Sequence, residues 1–331
     1  MLSYRHGYHA GNAGDVLKHL VLTALLRAVR RKTTPLRYIE THAGAGAYDL
    51  TASAALRHSE HDTGIGALWQ LGALWQLGAS DVPALVADYL AAVVAVNGDD
   101  VDAVTTVMPQ AMTPVVPHGV TPVMPHAVTP VMPHGVTPVM PHAVTPVMPL
   151  RRYPGSPAIA RHWLDPNDVM WLAELHPADH AQLHALFAPR AAAHVRKSDG
   201  YPLLQALLPA HERRALVLID PAYELTGEAG RVAAAVAGAM KRMGHCVCAV
   251  WAPLRGKVDA DGLAADLAQV ARGRLLRCTL DATSGDALGS TMLVINPPFQ
   301  VDIEVTAALR WLTGALPHFR AEVAWWGRAP L

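Results

Sequence analysis

Apolar positions near the start of the chain predict a helix followed by a short strand and a glycine-rich turn. Between residues 15 and 31 the apolar side chains recur at helical spacing, and residues 36–40 have the pattern of a short strand. The turn Thr41-His42-Ala43-Gly44-Ala45-Gly46 follows directly. A strand that leads into a glycine-rich turn is the arrangement that a doubly wound sheet uses to bind a nucleotide-like ligand.

Later apolar runs, with helical stretches between them, predict an α/β fold. They cover residues 169–173, 216–219, 246–251 and 292–295, and a final run at 322–326 can add one more strand. Strands that alternate with helices form a mostly parallel sheet covered by helices. We therefore expect a doubly wound, Rossmann-like core built from residues 1–55 and 150–331.

The stretch between these two parts has a different pattern. Residues 60–97 are helical in pattern and contain Gly-Ala-Leu-Trp-Gln-Leu twice in tandem. We expect a small helical insertion subdomain over residues 56–104, with Trp69 and Trp75 packed as core residues rather than exposed for stacking on bases. Residues 105–149 repeat Thr-Pro-Val-Met-Pro-His-Ala/Gly-Val, and two prolines per repeat disfavour helix and central strand. We expect this segment to be an extended or disordered surface insert.

Composition and charge restrict the class of protein but leave its partner open. Hydrophobic residues make up 51% of the 331, enough for a large core, and the three cysteines lack the spacing of a zinc ribbon or a disulfide framework. We expect a cytoplasmic protein without signal peptide, membrane span or metal. Lysine plus arginine balances aspartate plus glutamate at 27 each, which argues mildly against nucleic acid. Residues 1–49 hold seven of these cations against three acids, which leaves room for a local basic surface.

Polar residues at predicted strand ends indicate a cofactor site. The glycine turn lacks a complete G-x-G-x-x-G, which favours a cofactor without a pyrophosphate, such as S-adenosylmethionine, over a dinucleotide. Glu174 directly follows the run at 169–173, where a carboxylate can accept hydrogen bonds from ribose hydroxyls. Asp199, followed by Gly200, lies one element further along and can accept from an adenine amino group. Each acid alone is equally typical of a loop or turn.

The run at 216–219 ends in Asp220-Pro221-Ala222-Tyr223, the most informative stretch of the chain. The lone pair of an exocyclic amine is conjugated with its ring, and acceptors aimed at the two N–H bonds favour a pyramidal, more reactive nitrogen. Asp220 and the Pro221 carbonyl can supply those acceptors, and Tyr223 can stack on a base taken out of its helix. The later Asn296-Pro-Pro-Phe matches this pattern more closely, but it follows the glycine turn and both acids, so we do not expect it to be catalytic.

In combination these motifs resemble a known family. Asp-Pro-x-Tyr after a strand resembles motif IV of amino-methyltransferases. The amino terminus from Tyr4 to His19 is similar to the opening of the 23S ribosomal RNA adenine-N6 methyltransferases of the RlmJ family. The family's other motifs occur here in the same order: Thr41 to Gly46, Tyr153 to Pro157, Glu174 to Pro177, Asp199-Gly200 and Ile295 to Pro298. Only the repeat insert lies outside the resemblance.

The resemblance implies a class I methyltransferase that uses S-adenosylmethionine to methylate N6 of an adenine in 23S ribosomal RNA. We expect a monomer that acts on free or precursor RNA rather than on the assembled subunit. The implied site residues are His19, His42, Ser156, Glu174, Asp199, Gly200 and Asp220 for the cofactor, Asp220 with Pro221 and Tyr223 for catalysis, and Tyr4 for the substrate.

Two departures from the family leave alternatives open. Ala222 stands where motif IV has its second proline, and the repeat insert enters just before the segment that supplies Ser156. Because Ala can adopt the same backbone angle at an entropic cost of about 0.4–1 kcal/mol, we expect weakened preorganisation rather than lost activity. The alternatives are methylation of an amine in DNA or protein, since motif IV specifies the amino group and not its carrier, and a non-catalytic RNA-binding protein.

Overall fold

The fold is organised around a central sheet. The computed structural model describes residues 6–76, 82–98, 149–188, 192–283 and 289–326 of the chain. The strands are β1 (Arg37–Glu40), β2 (Ala47–Asp49), β3 (Arg152–Pro154), β4 (Val169–Ala173), β5 (Ala193–Arg196), β6 (Ala215–Ile219), β7 (Val247–Pro253), β8 (Leu275–Ala282), β9 (Ser290–Ile295) and β10 (Phe319–Trp325). Eight of them form one sheet in the order β10-β8-β9-β7-β6-β1-β4-β5. Every strand expected from the apolar runs is therefore present.

Strand direction divides this sheet into two parts. Strands β7, β6, β1, β4 and β5 are parallel to their neighbours. Strand β9 runs antiparallel between β7 and β8, and β10 runs antiparallel along β8. The mostly parallel sheet is confirmed, and it carries an antiparallel edge that the apolar pattern did not predict.

Helices cover both faces of the sheet. They are α1 (Ala13–Arg30), α2 (Ser53–His58), α3 (Ile65–Gln76), α4 (Ala84–Asn97), α5 (Ser156–Trp163), α6 (Pro177–Phe187), α7 (Gly200–Leu207), α8 (Glu228–Arg242), α9 (Ala260–Ala271) and α10 (Val301–Ala315). Successive residues of β6 show the arrangement, because Leu216 and Leu218 join a core with α1 and α10 while Val217 and Ile219 join a core with α7, α8 and α9. A strand that is apolar at every position is the signature of a sheet buried on both faces, so the doubly wound fold is confirmed.

The chain leaves and re-enters the core at neighbouring positions. Strand β2 pairs with β3, and 102 residues separate the two strands in sequence. The first and last of these residues are joined by a backbone hydrogen bond of 2.8 Å from the Leu50 N–H to the Arg151 carbonyl. The Asn97 amide oxygen accepts from the backbone N–H groups of Arg151 and Arg152, both at 2.8 Å. Trp69 is buried in the core, as expected. The side chain of Trp75 and residues 105–148 lie outside the described part, and the division into core, insertion and repeat stays a prediction.

None of the helices within the described ranges is long and apolar enough to cross a membrane.

Candidate active site

A cleft opens at the carboxyl ends of the parallel strands β6, β1, β4 and β5. Parallel strands present their carboxyl ends at one sheet edge, where ligands of doubly wound folds bind. The predicted site residues that the structure describes all line this cleft, namely His19, His42, Ser156, Glu174, Asp199, Gly200, Asp220, Pro221 and Tyr223. Tyr4, the predicted substrate contact, lies outside the described residues.

The turn after β1 holds Glu174 in place. Gly44 has φ +60°, a conformation that L side chains rarely adopt, and a Cβ there would lie 2.2 Å from the hydroxyl oxygen of Tyr48. The Gly44 N–H donates to Glu174 Oε2 at 2.8 Å, and the His176 N–H donates to Oε1 at 2.6 Å. Burial raises the pKa of Glu174. Since a carboxylate offers about four acceptor positions, Glu174 keeps the capacity to bind ligand hydroxyls.

The next acid along the edge, Asp199, caps helix α7. Its Oδ1 accepts from the Tyr201 N–H at 3.0 Å, and its Oδ2 accepts from the Arg231 guanidinium at 2.6 Å. Arg231 therefore competes with any ligand amine for this carboxylate, which the sequence did not reveal. A Cβ on Gly200 would lie 2.1 Å from the Thr41 carbonyl oxygen, so only glycine lets α7 approach the loop after β1 this closely.

A buried carboxyl lies beneath the cleft, between the glycine turn and helix α5. Glu40, the last residue of β1, is fully buried and accepts from the Tyr38 hydroxyl at 2.9 Å and from the Ser156 hydroxyl. Burial raises the pKa of Glu40 to about 8, although both hydrogen bonds oppose the shift. Ser156 is the first residue of α5, so Glu40 fixes the hydroxyl of a predicted cofactor residue.

His42, directly after this strand, is oriented by two neighbours. Its Nδ1 lies 2.8 Å from the Thr41 hydroxyl, and its ring makes an edge contact with Tyr201 at 5.1 Å between centroids. Burial lowers the pKa of His42. A neutral imidazole thus forms the floor of the cleft between the glycine turn and α7.

The strongest electrostatic feature of the cleft is a buried lysine between two carboxylates. Lys18 Nζ lies 2.6 Å from Asp220 Oδ2 and 2.7 Å from Asp15 Oδ1. Burial alone would lower the pKa of Lys18, but Asp15 and Asp220 raise it well above its ordinary value. Burial would likewise raise the pKa of Asp15, but His6 and Lys18 hold it well below its ordinary value. Lys18 and Asp15 are therefore charged at neutral pH. Among the described residues Oδ1 of Asp220 has no hydrogen-bond partner.

Tyr223 is packed into the wall of the cleft rather than standing free. It has φ +52°, is 5% exposed, and donates its hydroxyl to the Trp251 carbonyl at 2.8 Å. Burial raises its pKa. The hydroxyl is occupied by the protein, so Tyr223 can offer a ligand only the edge or face of its ring.

The competing motif at Asn296 lies at the opposite edge of the sheet. Strand β9 is antiparallel to β7, and its last residue Ile295 pairs with Cys248 near the start of that strand. The Asn296 amide donates to the carbonyls of Gly244 and Cys246, both at 3.0 Å. Its side chain therefore closes a loop, away from the cleft.

The sequence did not assign a role to Lys18, Asp15, Glu40 or Arg231. The signal for the first two was present, because Asp15 and Lys18 stand three residues apart within a run of apolar side chains in α1. Charges at that spacing in an otherwise apolar stretch are neighbours on the helix surface and must find partners when buried. Their third partner, Asp220, is 202 residues away in sequence.

Proteins with similar sequences and structures identify the family. The family model described as "Ribosomal RNA large subunit methyltransferase D, RlmJ" matches residues 33–114 and 142–326. Ribosomal RNA large subunit methyltransferase J of Escherichia coli K12 is 32% identical over 320 residues, 96% of this chain and 94% of its own length. The protein of that name from Haemophilus influenzae is 29% identical with the same coverage. A crystal structure from Legionella pneumophila superimposes with a TM-score of 0.72 at 25% identity, covering 97% of this chain and 99% of the other. This chain therefore belongs to the RlmJ family of ribosomal RNA large subunit methyltransferases.

Proposed function

We propose that this protein transfers the methyl group of S-adenosylmethionine to N6 of an adenine in 23S ribosomal RNA. The observation that carries the chemistry is the Asp220 carboxylate at the end of β6, with one oxygen bound by Lys18 and the other without a partner in the described part of the chain. The names of the relatives support ribosomal RNA as the carrier. Free or precursor RNA and a monomeric enzyme are parts of the same proposal.

The lining of the cleft fits S-adenosylmethionine. Acceptors for ribose hydroxyls and for an adenine amino group are available at Glu174 and Asp199, on neighbouring strand ends. His19 on α1 and Ser156 on α5 line the same cleft, and His19 Nε2 is a buried polar atom without a partner among the described residues. An unpaired buried nitrogen costs about 1–3 kcal/mol, so a ligand acceptor at this position relieves that cost.

The residues of this chain promote transfer by orienting the amine. S-adenosylmethionine supplies an electrophilic methyl group on a positively charged sulfur. Asp220 Oδ1 and the Pro221 carbonyl accept hydrogen bonds from the two N–H groups of the adenine amine. These bonds direct the nitrogen lone pair out of the ring plane. Lys18 fixes the rotamer of Asp220 through Oδ2, which leaves Oδ1 directed toward the amine. Positioning supplies most of the rate. The N–CH3 bond forms as the S–CH3 bond breaks, the thioether product leaves, and the amine proton passes to water during or after transfer.

The test is methylation of deproteinised 23S RNA, followed by digestion to nucleosides and mass spectrometry. Wild-type protein should produce N6-methyladenosine, and Asp220→Asn should reduce the rate by about 10²-fold or more. Asp266→Asn, at an exposed position of α9, is the matched control and should retain the wild-type rate. An unchanged rate for Asp220→Asn would overturn the catalytic assignment.

The same assay separates the competing functions. Methyl transfer to DNA or protein instead of RNA would select the other amino-methyltransferases. Binding of S-adenosylmethionine without turnover on any of the three would select a non-catalytic protein. A reaction on assembled large subunits but not on free RNA would contradict the proposed form of the substrate.

A further inference from the structure

Three buried polar side chains form a hydrogen-bonded chain that ends at the cleft. The hydroxyl of Tyr89, on helix α4, lies 2.9 Å from the hydroxyl of Tyr153, which lies 2.7 Å from Nδ1 of His19. All three residues are at most 1% exposed. His19 lines the cleft, and its other ring nitrogen, Nε2, has no hydrogen-bond partner in the described part of the chain.

Counting protons along this chain selects one tautomer of His19. Burial lowers the pKa of His19 well below its ordinary value, so the imidazole carries a single N–H. If Tyr89 donates to Tyr153 and Tyr153 donates to Nδ1, the imidazole proton lies on Nε2, and Nε2–H is the only unsatisfied group. If the chain runs the other way, the Tyr89 O–H and the Nε2 lone pair are both unsatisfied. Because each buried unsatisfied group costs about 1–3 kcal/mol, the first direction is favoured.

The selected tautomer makes His19 a hydrogen-bond donor toward an acceptor on a ligand. Ser156, which also lines the cleft, begins helix α5, whose N-terminus carries a partial positive charge. The acids that accept from ribose and adenine, Glu174 and Asp199, follow β4 and β5. Of the groups on S-adenosylmethionine, only the carboxylate of its methionine part is anionic, and it matches a neutral N–H donor beside a helix N-terminus.

We propose that Tyr153 and Tyr89 are positioning residues that hold His19 in its Nε2–H tautomer, so that it donates to the carboxylate of the bound cofactor. The inference rests on the proposed function, since it takes S-adenosylmethionine as the ligand. It also gives α4, a helix of the predicted insertion, a role in the cofactor site, because the relay begins at Tyr89.

The tautomer can be observed directly by ¹⁵N NMR of histidine side chains, with His19→Gln used to assign the signals. In the wild-type protein Nε2 of His19 should give a protonated, pyrrole-type signal and Nδ1 a hydrogen-bonded, pyridine-type signal. Tyr153→Phe should convert this pattern to a mixture of tautomers. An Nδ1–H tautomer in the wild-type protein would overturn the proposal without any variant.

Calorimetry with two probes measures how much the amino-acid part of the cofactor, which carries the carboxylate, contributes to binding. The probes are S-adenosylhomocysteine, which has the amino-acid part, and 5′-methylthioadenosine, which lacks it. Tyr153→Phe should weaken the binding of S-adenosylhomocysteine by about 3–10-fold, the equivalent of one hydrogen bond. It should weaken the binding of 5′-methylthioadenosine by less than about 2-fold. Tyr89→Phe, which leaves the bond between Tyr153 and His19 possible, should produce a smaller loss with the same preference.

The outcomes distinguish the inference from the proposed function. If wild-type protein binds neither probe, the proposed function fails. If it binds both, and Tyr153→Phe weakens them equally, the proposed function stands and the assigned role of the relay is wrong. If Tyr153→Phe does not fold, equal losses for the two probes in Tyr89→Phe overturn the inference.

Discussion

Replacing Lys18 with methionine tests whether one buried cation holds the active site together. The side chain is 5% exposed and lies within 2.7 Å of carboxylate oxygens on Asp15 and Asp220. Methionine has a similar length and fills the volume without a charge, so two carboxylates would lose their common partner. Asp15, whose side chain is 2% exposed, has the less access to water.

The expected loss in the free energy of unfolding is about 3–5 kcal/mol, the range for breaking a buried ion pair by removing one partner. An exposed pair is worth only about 0–1 kcal/mol, so the two cases are well separated. Lys18 has a raised pKa, so its stabilisation is complete below 10.5 and disappears as pH rises through its folded value. Asp15 has a lowered pKa, so its stabilisation is present above 3.8 and disappears as pH falls through its folded value. Neither Lys18 nor Asp15 titrates between about pH 5 and 9, so the part of the loss that comes from this pair should be nearly constant in that window.

Urea unfolding of wild type, Lys18→Met and Lys32→Met measures this difference. Lys32 is exposed just beyond α1 and has no ion pair with a described residue, so its substitution should change stability by less than about 0.5 kcal/mol. A double-mutant cycle with Asp15→Asn isolates the pair, because Lys18→Met should cost less when Asp15 is already neutral. Equal stabilities of Lys18→Met and Lys32→Met would refute the reasoning, as would a loss confined to pH above 9.

Three further changes test other parts of the site. The wild type should lose stability as pH rises from 4.5 to about 8, because the raised pKa of Glu40 means that the folded state retains a proton that the unfolded chain releases. Glu40→Gln should remove this loss. Urea unfolding across this pH range measures the difference, and parallel plots of unfolding free energy against pH for the two proteins would contradict the prediction. Ala222→Pro should raise the free energy of unfolding by about 0.4–1 kcal/mol and retain methylation, since the Ala222 N–H makes no hydrogen bond to a described residue; a thermal shift downward would count against this. Gly200→Ala should abolish cofactor binding in calorimetry, because its Cβ would lie 2.1 Å from the Thr41 carbonyl oxygen. The control is Gly230→Ala in α8, where nothing lies within 4 Å of the new Cβ. This substitution should stabilise the protein by about 0.5–1 kcal/mol.

Local sequence pattern indicated six of the eight strands of the central sheet, but not β5 or β8, and it did not indicate strand direction. Strands buried on both faces, such as β6, appear as uninterrupted apolar runs. Strand β8 has its apolar side chains at alternate positions, with Arg277, Thr279 and Asp281 between them, so no continuous run indicated it. Strand direction was also not encoded locally, because the apolar pattern of β9 is the same whichever way it runs.

The site was predictable where a residue follows a strand and unpredictable where its role depends on a distant partner. Glu174 and Asp220 stand directly after apolar runs, and the topology then places them at one edge. By contrast, Arg231 on α8 binds Asp199, and Tyr89 contacts Tyr153 across 64 residues of sequence. Pairings of this kind arise only when helices pack, because the residues carry no local signal for each other.

The two sequences of this chain that resemble motif IV show how little a short motif specifies by itself. Asn296-Pro-Pro-Phe matches the motif sequence more closely, but Asp220-Pro-Ala-Tyr lies at the end of the sheet where the cleft opens. Reversal of a single strand, β9, sends one of them to the far side of the sheet, where its amide ties down a loop. A motif search over related genomes would gain discrimination by scoring the direction of the preceding strand together with the four residues.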